Sequence, residues 1–122
     1  MKILINFILA IFISLIISCS KEEKVSIVTE KNIETQMIEA FEEGYEELEN
    51  GDVLFAAKKF NEAELLYPQS EWAPRSSLMA SYGYWSQGYY AQSITELRRF
   101  LKIYSKNKHL DYAYYLLAMN YY

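Results

Sequence analysis

The 122-residue chain carries 12 Lys and Arg against 16 Asp and Glu, for a formal net charge of −4, and 16% of its residues are aromatic. That acidic balance gives no electrostatic footprint for a nucleic-acid partner, and a single cysteine excludes an internal disulfide. The length allows one compact domain, once the opening stretch is set aside as a leader.

Lys2 gives that leader a positive start, and Ile3 to Ile17 is apolar apart from Asn6 and Ser14, a run shorter than the roughly 20 residues a bilayer-spanning helix needs. Leu15, Ile16, Ile17 and Ser18 then directly precede Cys19. A small residue beside a cut site and a thiol that can be alkylated by diacylglycerol resemble the lipobox of bacterial lipoproteins. The resemblance implies a signal peptide over residues 1–18 and Cys19 as the acylated, palmitate-bearing N-terminus. Several acyl chains anchor stably where one binds marginally. Ser20, standing where a sorting Asp would retain the protein at the inner membrane, implies delivery to the outer membrane. Residues 19–32 read as the lipidated cysteine and a polar tether, with a reach of about 40 Å at ~3.3 Å per residue.

Beyond the tether, Ile38, Phe41, Tyr45 and Leu48 recur at helical steps among Glu39, Glu42, Glu43, Glu46 and Glu47. Asn50, Gly51 and Asp52 break this helix. A second helix carries Val53, Ala56, Phe60, Ala63 and Tyr67 and stops at Pro68, which cannot extend it. The pattern then repeats: Leu78, Tyr82, Trp85 and Tyr89, a break at Gln87 and Gly88, and then Tyr90, Ile94, Leu97, Leu101 and Tyr104. Pro74 belongs near the start of the first of these helices, where a missing N–H costs nothing. Gly51 and Gly88 lie 37 positions apart. A third unit opens around Leu110 with Tyr112, Tyr115 and Met119, His109 starting or capping its helix.

A helix–turn–helix period near 34 residues with small residues at fixed places is the signature of tetratricopeptide repeats. The reading is therefore an all-α, tetratricopeptide-like solenoid of about two and a half hairpins over 33–122, divided as 33–69, 70–106 and an incomplete 107–122. Gly44, Gly51, Asp52, Ala56, Phe60, Ala63 and Pro68 carry the likeness. Ala40, Glu43 and Glu47 stand where large residues are expected, and Ser81 and Ser105 stand for glycine and proline. A narrower pattern runs from Ala63 to Tyr114: Tyr67, Pro68, Ser70 and Ala73; Leu78, Tyr82 and Tyr84; Gly88, Tyr89 and Tyr90; Arg99, Phe100 and Tyr104; and His109, Asp111, Tyr112, Ala113 and Tyr114. It resembles the BamD family of outer-membrane protein assembly factors, also called the YfiO or ComL lipoproteins. The resemblance implies about five repeats, so the sequence in hand is expected to be part of a longer protein. It further implies a lipid-anchored scaffold on the periplasmic face of the outer membrane, within the BAM machinery. The expected partners are BamA, other BAM subunits and unfolded outer-membrane proteins.

Such arrays bind on the face built from the first helix of each hairpin. Here that face comprises Ile38 together with Phe41, Tyr45, Leu48, Leu78, Tyr82, Trp85, Tyr112, Tyr115 and Met119. Aromatic rings offer large contact areas at little entropic cost, with polar tips for an extended peptide. The glutamate-rich first helix and the basic set Arg98, Arg99, Lys102, Lys106 and Lys108 read as solvated surface. Catalysis has no support: His109 lacks partners for a metal site, no phosphate loop or nucleophile motif occurs, and the glutamates sit on exposed helix positions. No cofactor, metal or small-molecule substrate is expected. Two other readings remain open at this point, a cell-wall or Tol-associated repeat lipoprotein and a lipid-anchored spacer without a peptide groove.

Overall fold

A computed structural model describes residues 32–122; the expected signal peptide, Cys19 and nearly all of the tether lie outside these residues. Five helices follow in order: α1 (Ile33–Asn50), α2 (Val53–Leu66), α3 (Trp72–Ser86), α4 (Tyr90–Ile103) and α5 (Leu110–Met119). No strand occurs among the described residues, so the all-α, helical-hairpin reading holds. Each helix packs against the next in sequence.

The breaks work as their residues dictate. Gly51 has φ 88°, and its N–H donates to Leu48 O while the Asp52 N–H donates to Glu47 O. Gly88 repeats the device at φ 80°, with its own N–H on Trp85 O and that of Tyr89 on Tyr84 O. A left-handed residue closing the last turn is what glycine supplies without a Cβ clash. The Asp52 carboxylate then caps α2 by accepting from the Phe55 N–H at 3.1 Å. At the other end of the hairpin α2 stops at Leu66, two residues before Pro68. Ser70 Oγ donates to Tyr67 O at 2.7 Å and accepts from the Ala73 N–H at 3.2 Å, seating the first turn of α3, where Pro74 lies.

Small residues set how closely the helices approach. A Cβ on Gly44 would lie 3.0 Å from the Phe60 ring and 3.2 Å from Ala56 O. The buried line of α1 is therefore Met37, Ala40 and Gly44, with Phe41 and Leu48 half-buried beside it. This shifts the expected stripe: Ile38 and Tyr45 stand at the rim, because a close crossing admits small side chains at its centre and large ones at its flanks. In the second hairpin Ser81 and Ser93 occupy the places of Gly44 and Ala56. Ser93 Oγ donates to Ser81 O at 2.8 Å and Ser81 Oγ to Ser77 O at 2.9 Å, so the departure from glycine is absorbed by buried hydrogen bonds.

One charged group is sealed between the hairpins. Glu64, on α2, is 5% exposed. Its carboxylate accepts Arg99 Nη1 and Nη2 at 2.8 and 2.6 Å and the Tyr104 hydroxyl at 2.7 Å. Arg99 also donates to Ser77 Oγ on α3 and, through Nε, to Glu96 Oε2. Arg99 is thus only partly solvated, its side chain 35% exposed, and Glu64 is no exposed glutamate, contrary to the sequence reading: two fork-shaped groups match each other's charge and geometry between α2 and α4.

The alternation of direction gives the stack two ends. Met37, Leu66 and Trp72 share one apolar cluster, so the start of α1, the end of α2 and the start of α3 lie together. Leu48, Val53 and Gly83 meet at the opposite end.

Two stability outcomes follow. Gly44→Val should lower stability by about 1–3 kcal/mol through overpacking against Phe60, read as a drop in Tm by circular dichroism. Arg99→Met should cost about 3 kcal/mol by stranding a buried carboxylate, and pairing it with Glu64→Leu should recover most of that in urea unfolding.

Candidate functional site

The expected groove residues separate into two groups. Leu78 is buried with Leu97, Phe100, Ala113 and Leu116, so it presents no surface to a partner. Phe41 stacks edge-on against Phe60 and Trp72 at ring-centroid distances of 5.3 and 5.1 Å, and Leu48 packs toward Gly83. These three serve the joins between helices. The reason is common to them: in a stacked array each first helix touches its own partner on one side and the previous hairpin on the other, which leaves a narrow free strip.

Tyr82 and Trp85 on α3 occupy that strip together, at 5.9 Å between ring centroids, and Tyr112 and Tyr115 on α5 pair at 6.5 Å. Trp85 is half-buried against the core, while Tyr82 and Tyr112 are each just over a third exposed and Tyr115 is well exposed. The two pairs neighbour each other: burial raises the pKa of Tyr112, and the phenols of Tyr82 and Tyr115 push it further in the same direction. Met119 lies one turn beyond Tyr115 and is half-buried. Tyr45 is exposed on α1, and no ring contact joins it to the set. The result is a ribbon of partly exposed phenol and indole rings. It can hold apolar or aromatic side chains of an extended peptide.

The basic set also divides. Arg99 belongs to the buried node, and Arg98 donates to the Tyr121 hydroxyl at 2.9 Å. Lys106 and Lys108 turn to a cleft of about 210 Å³ at the end where α3 and α5 begin, shared with Arg75, His109, Asn107 and Glu71. Arg75 lies over the Trp72 ring at 5.3 Å. Sequence reasoning missed this cleft, because Arg75 and Lys106 are distant in the chain and meet only when α3 and the loop before α5 are side by side. The Glu64 node had a fainter signal, a glutamate next to the small residue Ala63 on the packing stripe of α2. His109 is the N-cap residue of α5, its N–H accepted by Asn107 Oδ1. No group of three or more His, Cys, Asp or Glu is placed to hold a metal ion among the described residues, and none of their helices is long and apolar enough to cross a membrane.

Helical hairpins repeated at a fixed offset, with rings exposed along their first helices, define a tetratricopeptide-like repeat protein. Residues 33–122 match the YfiO family, described as an outer membrane lipoprotein, and the chain belongs to that family. It is 37% identical over 79 residues to the outer membrane protein assembly factor BamD of Caulobacter vibrioides, covering 65% of this chain and 26% of that protein. To the BamD of Rickettsia prowazekii it is 31% identical over 67 residues, covering 55% and 27% respectively. The chain thus spans about a quarter of the length of the curated relatives it matches.

Burial also raises the phenol of Tyr104, which hydrogen-bonds Glu64, and that of Tyr84, which faces the charge of Glu96. A folded phenol that holds its proton more tightly than a free one contributes stability in full below the free value of 10.0; that contribution is lost as pH rises through the higher folded value. Urea unfolding should therefore show stability falling above about pH 10, and Tyr112→Phe should flatten part of that fall.

Proposed function

We propose that this chain is part of a lipid-anchored scaffold that acts in outer-membrane β-barrel assembly, and that the Tyr82, Trp85, Tyr112 and Tyr115 face binds unfolded barrel segments ending in an aromatic residue. Family membership and the likeness to two outer membrane protein assembly factors support the assembly role. The observation that carries the binding role is the pairing of the four rings on neighbouring first helices, partly exposed although large rings ordinarily pack away. In this reading Cys19 is acylated, the domain faces the periplasm from the outer membrane, and BamA and other BAM subunits are its partners. The chemistry asked of it is recognition: rings take up an apolar terminus and hydroxyl tips satisfy peptide groups, with no bond made or broken.

The test is a fluorescence-anisotropy titration of a labelled peptide ending in Phe. Tyr82→Ala with Tyr115→Ala, both at exposed positions, should weaken binding about tenfold or more, as loss of interface anchors does. Tyr45→Ala should change it little. Equal affinity for the double variant and the parent would defeat the groove assignment, and co-purification of cell-wall or Tol components in place of BamA would defeat the assembly role.

A further inference from the structure

We propose that the basic cleft formed by Arg75, Lys106, Lys108 and His109 binds the phosphate of anionic phospholipid headgroups and so orients the solenoid on the membrane that anchors it. The orientation part rests on the acylation of Cys19 proposed above.

Among the described residues two other cations are held in ion pairs, while Lys58, Arg98 and Lys102 are, like those of this cleft, in none. Lys59 bridges Glu43 and Glu62, and Arg99 is held by Glu64 and Glu96. By contrast Arg75, Lys106 and Lys108 form no salt bridge among the described residues, although Glu71 lines the same cleft. Three cations without a salt bridge, Arg75 among them stacked on Trp72, converge with an imidazole on about 210 Å³ lined by one carboxylate, Glu71. That space holds several water-sized groups of about 30 Å³ each. The N-terminus of α5 opens at the same place, at His109, with no side chain capping it; Asp111 in its first turn offsets part of the positive potential of the helix dipole.

Location selects the source of the phosphate. The cleft joins the start of α3 to the start of α5, and the start of α3 lies beside the start of α1, where the chain arrives from Cys19. The opposite end carries Glu46, Glu47, Glu49 and Asp52. The tethered end also holds Glu34, Glu71 and Asp111, but its three cations leave it less acidic than the opposite end, so an anionic surface repels it less.

The full chain is reconstituted with vesicles of phosphatidylcholine alone or mixed with phosphatidylglycerol, and lysine acylation by a water-soluble reagent is followed by mass spectrometry. Lys106 and Lys108 should react about fivefold more slowly on the anionic vesicles, the exposed Lys58 of α2, outside the cleft, equally on both. High salt should erase the protection, and Arg75→Glu should reduce it. Equal rates on both vesicles would overturn the proposal, as would matching protection by free inorganic phosphate or a polyglutamate peptide on phosphatidylcholine vesicles. Flotation of the protein with phosphatidylcholine vesicles reports the acyl anchor separately. If that flotation fails, the anchor reading falls; flotation with phosphatidylglycerol vesicles that Arg75→Glu abolishes then supports the cleft, and its absence overturns it.

Discussion

Burying a carboxylate between helices costs several kcal/mol unless an opposing charge and hydrogen bonds replace its water, and the placement of the second hairpin on the first is what meets that demand at Glu64. The Arg99 fork and the Tyr104 hydroxyl, from α4 and its C-terminal cap, bond the carboxylate, and Ser77 Oγ on α3 accepts from Arg99 in turn. Two parallel N–H bonds from a planar group are satisfied in one relative placement of α2 and α4. Apolar contacts alone would allow small slips between neighbouring hairpins. The node adds a directional constraint between α2 and α4, near which the ring pairs on α3 and α5 are placed.

The two hairpins reach the same geometry with different side chains. Gly44 against Ala56 and Phe60 in the first becomes Ser81 against Ser93 and Leu97 in the second. The large ring moves to Phe100, in the place Ala63 holds in the first hairpin. The side-chain volume is redistributed across the interface, with the large ring one turn farther along the second helix. The terminal caps, by contrast, repeat atom for atom at Gly51 and Gly88, because a left-handed residue has few substitutes.

This division explains the surface. Rings that would be core in an isolated domain become partly exposed once each first helix is committed on two sides, so Tyr82 and Tyr115 remain open while Phe41 and Leu78 are consumed by packing. The charged groups sort in the same way. Arg99 is drawn inward because a buried acid awaits it, and Lys106 and Lys108 are left at the end of the stack beside Arg75.

Local chemistry is written in local sequence, and so the residues alone determined the helices, their breaks at Gly51, Pro68 and Gly88, the close approach at Gly44 and the family to which the hairpins belong. Periodicity says which side chains share a face of one helix. It does not say which of two faces meets a neighbour. That choice depends on helix crossings, so tertiary structure decided that Leu78 is core and Tyr115 surface, and that Glu64 meets Arg99 35 positions later. It also gathered Arg75 and Lys108 at one end, since contacts between distant residues exist only once the helices are stacked.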